Sequence, residues 1–87
     1  VAERREDRLN RLRMRSMRRG TKEMDIILMR FADARLASLS APLLDLYDRL
    51  LEESDQDLYA WVTGRDAAPA CYEPLMADIT ALAHRGK

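Results

Sequence analysis

The sequence predicts an all-α fold, a compact small five-helix bundle. Three observations predict it. Apolar residues recur at three- and four-residue spacing in successive stretches. No stretch shows the alternation of a half-buried strand. Serine, glycine and proline fall where helices start and stop. An 87-residue chain is enough for one small domain. Residues 1–87 are therefore expected to form a single domain, with 1–7 a flexible N-terminal segment and 85–87 a flexible tail.

The elements follow in order. Glu6 to Met17 is polar and rich in helix formers, with Leu9, Leu12 and Met17 as a thin apolar stripe. Gly20 ends it. A second helix is expected from about Thr21 to Ala37, burying Met24, Ile27, Leu28, Phe31 and Ala34. Ile26 and Met29 widen that stripe and predict contacts on more than one side. Ser40 is the expected N-cap of a third helix, with Pro42 in its first turn and Leu43, Leu46, Tyr47, Leu50 and Leu51 inward. Ser54 or Asp55 caps a short fourth helix, about Asp55 to Thr63, burying Leu58, Trp61 and Val62 and leaving Tyr59 as a surface aromatic. Gly64 supplies a left-handed stop. Residues 65–70 form a loop. A fifth helix, about Cys71 to His84, turns Tyr72, Leu75, Met76, Ile79 and Leu82 inward, with Pro74 tolerated in its first turn.

Charge is unevenly distributed. Residues 1–22 hold nine Lys/Arg against three acids, and residues 23–87 hold six against twelve. A basic arm on an acidic body is implied. Arg4, Arg5, Arg8, Arg11, Arg13, Arg15, Arg18 and Arg19 could meet phosphates. The acidic remainder, the pI of 6.8 and the lack of interleaved aromatics argue against nucleic acid. A protein partner with an acidic or carbonyl-rich groove makes better use of so many guanidinium forks.

Catalytic, metal and cofactor sites find no support. His84 is the only histidine and has no companion in sequence. Cys71, the only cysteine, excludes an internal disulfide and a zinc site of several thiolates, and is expected to be buried or half-buried. Carboxylate pairs such as Glu52-Glu53 and Asp55-Asp57 read as caps and solvated helix ends. Phosphate loops and nucleophile elbows are absent from the sequence, so no enzyme is expected. No run approaches the ~20 apolar residues of a membrane span, and no secretory signal pattern is visible. A soluble interior protein without direct membrane insertion is expected.

One stretch, RRGTKEMD at 18–25, carries more than punctuation requires. Gly20 could be an N-cap with Glu23 at the third helical position, its carboxylate reaching back as half a capping box. That account leaves Arg18 and Arg19 unexplained, and Lys22 opposes the helix dipole. A glycine also lets another backbone approach closely. Helix start and docking surface both remain open on residue chemistry alone.

RRGTKEMDIILMRF resembles the signature region of the succinate dehydrogenase flavinylation (FAD assembly) factor family. Arg19, Gly20 and Glu23 match its Arg-Gly-x-x-Glu motif, Arg18 and Asp25 match its flanks, and Met24 stands where leucine is commoner. A second block, LYDRLLEESDQDLYAWVTG at 46–64, is similar to the family's leucine-rich helix, its Asp-x-Asp-Leu helix start and its Trp before Gly. The resemblance covers about residues 8–83. It implies an assembly factor that binds the flavoprotein subunit of succinate dehydrogenase, with fumarate reductase as a second client, and promotes covalent attachment of FAD to a histidine there. It implies partner contacts at Arg18, Arg19, Gly20, Glu23 and Asp25. Arg19 would form bidentate bonds to the partner, and FAD would be carried by the client rather than held stably by this chain. It places the protein in a bacterial cytoplasm or, in a eukaryote, the mitochondrial matrix. The alternative is an Arg-rich helical module that binds protein or RNA and has no connection with flavin.

Overall fold

In the computed structural model, residues 4–17 and 19–85 are described. Five α-helices carry the fold: α1 (Arg5–Arg15), α2 (Lys22–Arg35), α3 (Ala41–Leu50), α4 (Asp55–Val62) and α5 (Glu73–Arg85). Single 3₁₀ turns at Leu36–Ser38 and Ala70–Tyr72 close α2 and open α5. No strand occurs among the described residues. α1 starts within the segment 1–7 expected to be flexible; residues 1–3, Arg18 and residues 86–87 lie outside the described set.

The caps show why the boundaries fall where they do. Ser40 accepts from the Leu43 N–H at 3.4 Å, and Ser54 accepts from the Asp57 N–H at 3.2 Å. Each hydroxyl satisfies one of the donors a helix start leaves unpaired. α4 stops at Gly64, whose φ of 81° lies in the left-handed region that glycine enters without steric cost. The second helix departs from expectation at its start. Its N-cap is Thr21, which accepts from the Met24 N–H, rather than Gly20. Glu23 therefore sits at the second helical position, and no reciprocal capping box forms.

α2 lies at the centre, against α4 and α5, with α5 also touching α3 and α4. Met24, Leu28 and Phe31 of α2 are fully buried and share one core cluster with Leu44, Tyr47 and Leu50 of α3. Phe31 and Tyr47 pack with ring centroids 5.1 Å apart in a tilted pair, a geometry aromatic quadrupoles favour. Leu58 and Val62 of α4 and Leu75, Met76 and Ile79 of α5 complete the core. Trp61 is only half-buried, resting against Tyr72 at 5.9 Å. Three expectations fail. Ile26 is 45% exposed, because α2 is covered on one broad side and not all round. Ala34 is exposed while Ala32 takes the inward position. Cys71 is exposed, since the 3₁₀ turn at the head of α5 directs Tyr72 rather than its neighbour into the core.

A polar pair is sealed within this core. Ser16 and Tyr47 have no solvent exposure, and their hydroxyls lie 2.5 Å apart. Ser16 Oγ donates to the Leu12 carbonyl at 2.8 Å, so the phenol must donate to Ser16. Burial pushes the Tyr47 hydroxyl up to about 12, against the opposing Arg19 charge. Between the ordinary tyrosine value of 10.0 and that figure, the folded chain keeps a proton that the unfolded chain releases. Stability should thus be intact below pH ~10 and fall by roughly 2–3 kcal/mol by pH ~12. Urea unfolding across that window checks it. Tyr47→Phe should flatten most of the slope. A residue should remain from Tyr72, which burial and the adjacent Glu53 carboxylate also raise.

Candidate functional site

The turn between α1 and α2 is built from charges that the sequence keeps far apart. Arg19 does not point outward. Its Nε donates to Asp55, its two terminal nitrogens donate to the carbonyls of Leu51 at 3.0 Å and Glu53 at 2.7 Å, and its side chain is 13% exposed. Leu51 is the C-cap of α3, where a cation is favoured by the dipole, and Glu53 lies in the turn beyond it. Asp55 opens α4, where an anion is favoured, and its second oxygen accepts from the Thr21 N–H at 3.2 Å. Asp25 accepts from the Arg19 N–H at 2.6 Å. One guanidinium and two carboxylates therefore fasten the turn to the α3–α4 junction.

Around this fastening Gly20 and Glu23 face water, Asp25 is half-buried, and Arg18 lies outside the described residues. A Cβ on Gly20 would sit 3.2 Å from Asp55 Oδ2, tighter than ordinary contact. The structure thus divides the four described residues among the five sequence-derived ones. Arg19 and Asp25 hold the turn, while Gly20 and Glu23 form its outer surface. Asp55 is the residue that sequence reasoning missed. Its position at a helix start fits a cap so well that a partner 36 residues away leaves no signal.

The basic arm is also spent internally. On the α3 side, Arg8 pairs with Asp45, Arg11 and Arg15 share Asp48, and Arg15 reaches Glu52 at 3.3 Å. On the α2 side, Arg13 pairs with Asp33. Arg5 donates to the carbonyls of Ala37 and Leu39 at 2.9 and 2.8 Å. The hydrogen bond from Arg11 holds the Asp48 carboxyl below the usual carboxylate range, against some desolvation and with help from the Arg11, Arg15 and Arg8 charges. The forks expected to grip a partner grip the chain's own carboxylates. Most of these pairs are well exposed, so each is worth little alone, and they act mainly to fix α1 along α3.

Among the described residues, no group of three or more His, Cys, Asp or Glu side chains is placed to hold a metal ion. No described helix is long and apolar enough to cross a membrane.

The sequence model of a family described as "flavinator of succinate dehydrogenase" matches residues 10–83, a span that includes the whole turn and its Asp55 seat. The chain belongs to the succinate dehydrogenase flavinator family. Relatives agree with that membership. The chain is 38% identical over 84 residues to a mitochondrial succinate dehydrogenase assembly factor 2 from Mycosarcoma maydis, covering 97% of this chain and 35% of that protein. It is 49% identical over 63 residues to the protein of the same name from Meyerozyma guilliermondii, covering 72% and 47%. The Yarrowia lipolytica protein is 36% identical over 78 residues, covering 84% and 54%. The chain therefore spans about a third to a half of the length of these relatives. A flavinator family of assembly factors agrees with the expectation that the chain is not an enzyme.

Proposed function

We propose that this chain acts in succinate dehydrogenase assembly by docking on the flavoprotein subunit and promoting covalent attachment of FAD to it. The observation that carries this reading is the family match over 10–83 coinciding with an exposed Gly20–Glu23 surface whose backing is rigidly fastened through Arg19 and Asp55. A docking surface benefits from such support, because ordering it on binding then costs little. The linkage chemistry belongs to the client and its flavin. This chain supplies a fixed surface that holds the client's parts in a reactive arrangement, an effect that can be worth several kcal/mol.

Gly20 presents a bare backbone to the partner, Glu23 offers a carboxylate, and Arg18 and Asp25 flank them. FAD stays with the client. The fumarate reductase flavoprotein is the natural second client, having the same kind of subunit. In a eukaryotic source the place of action is the mitochondrion, as the names of the relatives suggest, and within it we place the chain in the matrix; in a bacterial source it is the cytoplasm. The Arg-rich nucleic-acid alternative loses ground because its arginines are committed to Asp33, Asp45, Asp48 and Asp55.

The test is in-gel flavin fluorescence of the denatured flavoprotein subunit from cells with and without this gene. Covalent flavin should be strong with it and weak or missing without it. Equal fluorescence in both would overturn the proposal. Stoichiometric flavin absorbance in the purified chain would contradict the assignment of FAD to the client.

A further inference from the structure

Tyr59 is 38% exposed on α4 and stands between two adjoining hollows. One, of about 260 Å³, is lined by Thr21, Glu23, Asp55, Gln56 and Tyr59. The other, of about 340 Å³, is lined by Ile27, Tyr59, Val62, Thr63, Ala83 and His84. The spacing makes them one furrow. Glu23 and Ile27 are one turn apart on α2, and Gln56, Tyr59 and Thr63 advance turn by turn along α4. Two turns span about 11 Å, room for three or four residues of extended chain at ~3.3 Å each.

The two ends differ chemically. At the α2 start, Asp55 is already taken by Arg19 and Thr21, whereas Glu23 is exposed and enters none of the ion pairs that fasten the fold. Among the described residues, that end offers an uncommitted carboxylate beside the Tyr59 ring. The far end is walled by Ile27, Val62 and Ala83.

Resting on the docking reading above, we propose that this furrow receives a short extended segment of the flavoprotein subunit, with a Lys or Arg against Glu23 and an apolar side chain in the Ile27–Val62 end. Tyr59 is the anchor between them. A large amphipathic ring at the middle of an interface, flanked by a cation site, is the arrangement that concentrates binding energy. The choice of occupant follows from charge complementarity with Glu23 and from the continuity of Thr21 and Glu23 with the docking turn.

The test measures the dissociation constant of this protein for the purified flavoprotein subunit by calorimetry. Tyr59→Ala should weaken binding about 10–30-fold with an unchanged helical spectrum and melt. Glu23→Gln should weaken it about fivefold and reduce its salt dependence. Tyr59→Phe, which cannot disturb packing, should bind nearly as the parent does. If the parent binds and both Tyr59→Ala and Glu23→Gln bind within about twofold of it, the furrow proposal fails and the docking reading survives. If the parent does not bind, both fall. If the parent sediments as a dimer that Tyr59→Ala converts to monomer, a second copy is the occupant and the proposal is overturned.

Discussion

Gly20→Arg should abolish covalent flavin attachment to the flavoprotein subunit while circular dichroism still shows a folded helical protein. The glycine is not required by its backbone, since Gly64 is the described glycine with positive φ. What matters is the space beyond Cα, where a Cβ would meet Asp55 Oδ2 at 3.2 Å. An arginine there competes with Arg19 for the same carboxylate and draws it away from the Thr21 N–H. It also fills the outer surface on which a partner backbone would rest. The buried core holds no atom of Gly20, so helicity should survive. Gly20→Ala separates the two effects. A methyl requires Asp55 to shift by only a few tenths of an ångström, and alanine should retain most of the activity. Normal covalent flavin with Gly20→Arg would remove this turn from the docking surface.

Asp55→Ala should produce the largest loss of stability, about 2–4 kcal/mol, because it leaves a mostly buried guanidinium without its counter-ion and the exposed Thr21 amide without its protein acceptor. For a domain of this size the melting temperature should fall by roughly 10–25 °C. Arg19 keeps its bonds to the Leu51 and Glu53 carbonyls, so the α3 end is held while the turn is released. Asp55→Asn should cost less, since an amide oxygen still accepts from one of the two donors. Arg19→Lys should not substitute for arginine, because a single ammonium cannot span an aspartate and two carbonyls. Thermal melts of the three variants check the order. A Tm within about 3 °C of the parent for Asp55→Ala would show that the Arg19–Asp55 contact carries little of the fold.

Much of this architecture was legible in the chain because it rests on local chemistry. Ser40 and Ser54 cap helices through bonds to residues three positions on, and Gly64 stops one through its own φ. Thr21 was hidden by a neighbour. Gly20 followed by Glu23 imitates a capping box, and only the actual chain direction puts the hydroxyl ahead of the first helical amide. The uneven charge was equally visible in the sequence, but its meaning was not. Arginines facing outward and arginines folded onto carboxylates, as Arg8, Arg11, Arg13, Arg15 and Arg19 are here, are the same composition. Deciding between them takes the crossing of α1 over α3, which brings Arg8 to Asp45 across 37 positions. For the same reason the motif was readable as a unit, while its division into fastening residues and surface residues was not.

The pairing of the arm with the body shapes how a client is met. Opposite charges lying side by side cast almost no field beyond a Debye length of about 8 Å, so there is little long-range pull on an approaching subunit. Encounters are then left to ordinary diffusion, and selection happens on touching. On the proposed docking to a flavoprotein subunit, discrimination would then rest on fit and time of residence rather than on attraction from a distance.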